Sequence, residues 1–496
     1  MNDLTSKTAR KFHEQKYYSN AGSYYLLPFR FQRINNQQEV IVNEVGDMLV
    51  VPSGTAGRII QKEISQDTEF DLYGDLIANF FISESEIPEL LEIIASRYRT
   101  KKSFLDYFTS LHIFVISLRC EHTCHYCQVS RVSEDKNAFD MKREVIDKGI
   151  DFMMKSPNPH VTMEFQGGEA LLAFDLIQYG LKQAKEKAIV YNKLVTYVIC
   201  TNLAPINEEI LSFCREHEIL ISTSLDGPSF VHNQNRHRPA KNSYELAIAG
   251  IEQCRETLGP DRVSALLTTS VHSLEYPKEV VDEYFERGFR NIFLRSISPY
   301  GFAVKNARKN SYDTERFLTF YKAALDRILE YNRQGHFFRE DYASIILKKI
   351  LTPFPVGYVD LQSPAGMVNN VIVFNYDGKV YATDEARMLA EMKDSTFELG
   401  DLLVDSYEDV MYGEKVFDLS DSWVNESLPG CSECAFQSYC GSDPVFHHAQ
   451  QGDLIGHRPT SAFCEKNFEI IRYLIELMEN DKDIERIFWS WLTGNS

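Results

Sequence analysis

Short apolar runs alternate with amphipathic stretches through the middle of the chain. HIFVISL, HVTMEF, VTYVICTN, EILISTSLDG, VSALLTTS and NIFLRSIS, lying between His112 and about Ser298, read as six strands. Segments such as MKREVIDKGIDFMMK separate them; there Ile146, Ile150 and Met153 recur at helical spacing, with Asp140 placed to cap the first helix. Strands that alternate with helices predict a parallel sheet with the helices packed outside it. Polar motifs fall at the strand ends: a cysteine-rich loop after the first, QGGEA after the second, Thr201-Asn202 closing the third and SLDGP closing the fourth.

The flanks have a different rhythm. YYLLPFRFQRI and EVIVNEVGDMLVV alternate as a small antiparallel sheet, with turns at Asn35-Asn36 and Val45-Gly46, before helical patterns in AGRIIQKEI and IPELLEIIASRY. LKKILTPFPVGYVDLQSPAG, with three prolines and two glycines, predicts a crossing between domains. Near the end, Ile470, Ile471, Leu474, Ile475 and Met478 form an apolar helical stripe whose ordinary meaning is packing. These breaks divide the 496 residues into a small α+β part over 1–105, a parallel α/β part over 106–335 and a C-terminal part over 336–496.

Hydrophobic residues make up 44% of the chain, ample for packed interiors. A formal charge of -19 argues against a nucleic-acid partner, because such binding depends on Lys and Arg displacing counterions. MNDLTSKTARKFHEQKYY lacks the apolar core of a signal peptide, and no segment reaches the about eighteen apolar residues of a membrane span. The expected location is therefore the cytoplasm, with no membrane partner. Ten cysteines in a reducing compartment are ligands or core thiols, and seven of them fall into two groups. Cys200, Cys214 and Cys254 stand singly in apolar patterns and read as buried small hydrophobes.

Cys120, Cys124 and Cys127 form C-x3-C-x2-C in RCEHTCHYC. Three thiolates are one short of closing a 4Fe-4S cluster, so a cluster held here keeps one iron open to a small chelating molecule. Zinc is the competing reading, with His122 or His125 as fourth ligand. Cys431, Cys434 and Cys440 form C-x2-C-x5-C, and Cys464 follows in SAFCEKN. Four thiolates close a site, for zinc or for an iron-sulfur cluster.

The C-x3-C-x2-C loop resembles that of the radical S-adenosylmethionine (SAM) superfamily, with Tyr126 where the family carries an aromatic residue beside the adenine. The resemblance implies an α/β fold, a partial (β/α)6 TIM-like barrel with its active site at the C-terminal strand ends. The second cysteine group resembles the C-terminal SPASM extension in a reduced, twitch-like form. Ser363, Thr383 and Pro444 stand where a full SPASM domain has cysteines, although the turn at Asp377-Gly378 is kept. Implied are one SAM-binding 4Fe-4S cluster and one auxiliary 4Fe-4S cluster. SLDGP, FLRSISPYGFA, YVDLQSPAG and DEARMLAEM, with LLPFRF and NEVGD upstream, are similar to the B-type maturases of the His-Xaa-Ser system (HxsB). The N-terminal part resembles a leader-recognition domain of the RRE/PqqD type; a structural cover for the barrel is the alternative.

Site roles follow from the same resemblance. Gly167, Gly168 and Glu169 line the methionine end of the cofactor, the glycines allowing close approach and the carboxylate accepting from the ammonium. Thr201, Asn202, Ser224 and Asp226 orient the nucleoside, unless they are only strand-end caps. Arg236, with Arg238 as its competitor, binds the cofactor carboxylate or shapes its pocket, and Asp384 stands as a general base. The implied function is modification of a ribosomal precursor peptide bearing His-Xaa-Ser repeats, by 5′-deoxyadenosyl radical hydrogen abstraction and oxidative cross-linking. It implies an external one-electron donor and a second radical SAM maturase as partners. Two alternatives stand beside it: oxidation of Ser or Cys to formylglycine, as in anaerobic sulfatase maturation, and a zinc-stabilised peptide-binding scaffold without catalysis.

Overall fold

The computed structural model describes residues 24–85, 88–127, 135–305 and 311–494. The stretch MNDLTSKTARKFHEQKYY, on which the signal-peptide expectation rests, lies outside them. The chain forms two units, one of Met1–Lys101 with Glu433–Ser438, the other of Lys102–Ser432 with Tyr439–Ser496.

In the first unit the alternating pattern becomes three antiparallel strands, β1 (Phe29–Arg33), β2 (Gln38–Asn43) and β3 (Met48–Pro52). The Asn35 side chain closes the first hairpin by accepting from the backbone N–H of Gln37 and of Gln38, each at 2.9 Å. Gly46, at φ 79°, closes the second, a conformation glycine adopts without a Cβ penalty. Ile41 and Val51 turn inward onto Ile59, Leu76 and Phe81 to make the core of this unit.

The second unit is built on a mixed α/β arrangement with a mostly parallel central sheet. Its parallel strands are β4 (Leu111–Ser117), β5 (His160–Gly167), β6 (Leu194–Cys200), β7 (Leu220–Ser224) and β8 (Val263–Leu266), hydrogen-bonded in that order. The expected sixth strand is only β9 (Asn291–Ile292), which pairs with Arg339–Glu340 and meets the chain beyond β8 through one parallel bridge, Thr269 to Ser296. The reason is local: the buried Glu340 carboxylate accepts from the Leu294 N–H at 3.0 Å, where a ladder carbonyl would otherwise serve.

The sheet instead grows on the far side of β4. There β10 (Val371–Phe374) runs parallel to it with Phe374 opposite Phe114, and β11 (Lys379–Tyr381) and β12 (Glu398–Asp401) follow antiparallel around the Gly378 turn. The C-terminal segment thus shares its sheet with the strands before it.

Helices α1 (Arg143–Met154), α2 (Phe174–Tyr191), α3 (Glu208–Glu216), α4 (Ser243–Leu258) and α5 (Pro277–Glu286) follow successive strands. Ile146, Ile150 and Met153 are buried, as their spacing predicts. Asp140 does not cap α1, which starts at Arg143. Its carboxylate is held by Arg119 at 2.6 and 2.7 Å and by the Ser117 hydroxyl at 2.7 Å, tying down the chain where β4 ends. Further on lie α6 (Asp384–Ala390) and α7 (Ala462–Asn480), the latter burying the stripe from Ile470 to Met478. Among the described residues, no helix is long and apolar enough to cross a membrane.

Candidate active site

The C-terminal ends of the parallel strands open into a cleft of about 250 Å³. The loop after β4 brings Cys120, Cys124, Tyr126 and Cys127 to it, β5 ends there in Gly167 and Gly168, and Thr201, Asn202 and Ser224 come from the next two strand ends. Arg236 and Asp384 complete this wall; Arg238 is not part of it. Glu169 and Asp226 lie behind the lining, each buried.

The two glycines serve a close approach of backbone to backbone. A Cβ on Gly168 would sit 2.3 Å from the Arg119 carbonyl oxygen; one on Gly167, at φ 152°, would sit 1.9 Å from that of Ser117. Their absence lets the Gly168 and Glu169 N–H groups donate to Ser117 and Arg119 at 2.8 and 2.7 Å, which fixes the cysteine loop against β5. Glu169 then bridges to β6. Its carboxylate accepts from the Thr201 hydroxyl at 2.6 Å, the Asn202 N–H at 2.7 Å and the Leu171 N–H at 3.0 Å. Burial, with the Glu121 carboxylate adding to it, pushes Glu169 up to about 7.

Asp226 is the second hub. It accepts from Arg236 Nε and Nη2 at 3.1 and 3.2 Å, from the Tyr126 hydroxyl, and from the Thr268 N–H at 3.3 Å. Burial opposes its charge, yet Arg236 and these donors hold the carboxyl below its ordinary value. The Arg236 cation lies 5.6 Å from the centre of the Tyr126 ring, so cation and ring are presented to the cleft as a pair.

The cysteine loop is suited to an iron-sulfur cluster. Burial raises the Cys120 thiol, and Glu121 and Glu169 raise it further; burial likewise pushes Cys124 up to about 12. Thiolates in such surroundings require a cationic partner, which the irons of a cluster supply. The zinc alternative with His122 as fourth ligand fares worse. One ligand atom each from Cys120, Glu121 and His122 falls within 4.8 Å of the others. Yet His122 has both ring nitrogens engaged, Nε2 with the Ser243 hydroxyl at 2.8 Å and Nδ1 with the Asn202 amide at 2.9 Å and Glu121 at 3.2 Å.

Two residues of the cleft differ from, or add to, the sequence-based expectation. Cys200 is not a core thiol like the buried Cys214 and Cys254; it lines the cleft, its thiol 3.4 Å from Glu164 Oε1. As the last residue of a parallel strand its side chain falls at the sheet's functional end, a signal available from its place beside Thr201. Arg295 also lines the cleft and pairs with Glu385 at 3.0 Å. It closes the apolar FLR run by the same strand-end logic.

In the C-terminal part, Cys431, Cys440 and Cys464 lie close enough to raise one another electrostatically, while Cys434 belongs to the Glu433–Ser438 segment of the first unit. Cys464 opens α7, its N–H donating to the Ser461 cap at 3.2 Å. Thr383 and Pro444, two of the positions where the resemblance to SPASM domains expects cysteines, meet in one small cavity with Asp360, Glu385 and Asp443. Ser363 is engaged elsewhere, with the Asn425 N–H at 3.0 Å and the Glu426 carboxylate.

An open trio of thiols at the C-terminal edge of a parallel sheet, backed by glycine contacts and a polar wall, defines an iron-sulfur enzyme that uses a small nucleotide cofactor. Residues 114–282 match the Radical SAM superfamily, which together with the maturase relatives below supports an enzyme of the radical SAM kind. Its cofactors are a 4Fe-4S cluster and SAM, and the cysteine-rich C-terminal part fits an auxiliary cluster. The cysteine-type anaerobic sulfatase-maturating enzyme of Clostridium perfringens is 25% identical over 287 residues, covering 55% of this chain and 74% of its own. The structure of native anSMEcpe with bound AdoMet superposes with a TM-score of 0.62 at 18% identity, over 76% of this chain and all of that one. Streptococcus suis SuiB bound to the precursor peptide SuiA gives a TM-score of 0.50 at 13% identity, over 88% and 98% of the two chains.

Proposed function

We propose that this enzyme modifies a ribosomally made precursor peptide of the His-Xaa-Ser repeat type by oxidative cross-linking. The observation that carries this reading is that Asp384, from the C-terminal extension, reaches the same cleft as the three cysteines of the β4 loop. When bound, the cluster and SAM supply a 5′-deoxyadenosyl radical that abstracts a substrate hydrogen. The residues of this chain do the rest. Asp226 locks Arg236 and Tyr126 at the cofactor, Glu169 holds the β5 and β6 ends together, and the wall excludes water and stray hydrogen donors. Asp384, held in place by the Arg387 Nε–H that donates to it at 3.0 Å, is the carboxylate that takes a substrate proton. An external one-electron donor and a second radical SAM maturase are the proposed partners, and the first unit grips the leader of the peptide.

Formylglycine formation is a second reading, favoured by the likeness to the Clostridium perfringens enzyme and by the same placement of Asp384. The replaced cysteines at Thr383 and Pro444 weigh against it. Co-expression with a His-Xaa-Ser precursor, then mass spectrometry, tests the two. The first reading predicts loss of two hydrogens in a peptide that does not react with a hydrazine probe. An aldehyde captured by the probe supports the second, and an unchanged peptide mass contradicts the first.

A further inference from the structure

We propose that Arg458 donates N–H···S hydrogen bonds to the auxiliary cluster and raises its reduction potential, making it the electron acceptor of the enzyme. The role as acceptor rests on the oxidative function proposed above; the effect on the potential does not.

Three observations converge on Arg458. Its Nη1 is held by His447 Nε2 at 2.6 Å, while Nε and Nη2 are buried with no hydrogen-bond partner among the described residues. Buried guanidinium N–H groups without an acceptor are rare and ask for an explanation. His447 is itself fixed, with Nδ1 against the Asp443 carbonyl oxygen at 2.7 Å and Nε2 against the Ser461 hydroxyl at 2.8 Å. The stem of Arg458 passes over Gly430, where a Cβ would come within 3.2 Å of its Cγ, directly beside Cys431. The guanidinium therefore stands fixed next to sulfur, with two donors free to serve it.

The surroundings of the two cysteine groups differ in the same sense. Among the described residues, the charged neighbours of Cys120 and Cys124 are mostly Glu121, Glu169 and Asp226, and the cation beside them, Arg236, is already paired. Near Cys431, Cys440 and Cys464 stand the cations Arg458, Lys349 and Lys466, the last facing Asp360 and Asp443, beside the carboxylates of Glu426 and Glu465. Negative surroundings oppose an added electron and positive ones favour it. The β4 loop is thus built for a strong reductant and the C-terminal site for an acceptor. In the oxidative step this arrangement serves, the substrate radical passes one electron to the auxiliary cluster, which falls from the 2+ to the 1+ state. The new bond closes with release of one proton to Asp384.

The test uses the full chain carrying Cys120→Ala, Cys124→Ala and Cys127→Ala, reconstituted anaerobically so that only the C-terminal cluster remains. Its midpoint is read by potentiometric titration followed by electron paramagnetic resonance. Arg458→Met or Arg458→Gln is expected to keep about four irons. It should also disfavour reduction at least tenfold, about 59 mV to lower potential for one electron. Either variant with its irons and an unchanged midpoint overturns the proposal. Should neither hold iron, pulsed resonance of the parent decides: exchangeable N–H protons coupled to the cluster are expected, and their absence overturns it. A parent without iron overturns both the proposal and the auxiliary assignment. A normal result beside an enzyme that leaves the peptide unmodified removes only the oxidative reading.

Discussion

Replacing Asp226 by Asn keeps the side-chain shape and removes one charge at the point where the cofactor wall is held together. Asp226 has no solvent exposure and carries both hydrogen bonds from Arg236, the Tyr126 hydroxyl and the Thr268 N–H. The amide keeps one acceptor and turns a donor toward Arg236, leaving a buried guanidinium without its counter-ion. Breaking a buried pair from one side costs about 3–5 kcal/mol. Anaerobic urea unfolding of the metal-free protein measures that loss. Equilibrium dialysis of the reconstituted protein measures SAM binding, expected to weaken by more than roughly tenfold, about 1.4 kcal/mol.

The sign with pH is fixed by the same pair. Because the folded carboxyl lies below its ordinary value, its contribution is present above about pH 4 and is lost as pH falls through the folded value. The gap between wild type and Asp226→Asn therefore narrows in acid. Adding Arg236→Met removes the stranded charge, so the double variant should lose less than the two single losses combined. A single variant within about 1 kcal/mol of wild type, with unchanged SAM binding, refutes the role given to this pair.

Gly168→Ala should lower iron incorporation and SAM cleavage together, since its Cβ would lie 2.3 Å from a backbone oxygen that cannot swing aside; iron content measured against Gly57→Ala, where nothing lies within 4 Å, checks this. Asp443 is pushed up to about 8 by burial and by the Asp360 carboxylate. A raised folded value means its stabilisation is complete below the unfolded value and fades as pH rises through about 8. Asp443→Asn should accordingly flatten the decline in unfolding free energy between about pH 5 and pH 8, read by urea titration at several pH values.

The central strands and the cysteine loop were legible because buried parallel strands are continuous apolar runs, and because polar residues at their C-terminal ends meet in one place. Less legible were features set by tertiary partners. Nothing local to VIVF says that it will pair with β4, nor that Glu340 will take the Leu294 N–H and shorten the sixth strand. Asp140 has the composition and place of a cap, yet Arg119 outcompetes the helix for it. Glu169 and Asp226 are expected from the sequence to touch the cofactor, but only the fold shows that both stand behind the lining and hold other residues in place.

Anaerobic metal analysis combined with reduction in the presence of SAM tests the account most directly. Two clusters predict about eight irons per chain, and dithionite should then yield 5′-deoxyadenosine and methionine. Bound zinc, or a full iron complement that leaves SAM intact under reduction, would contradict it.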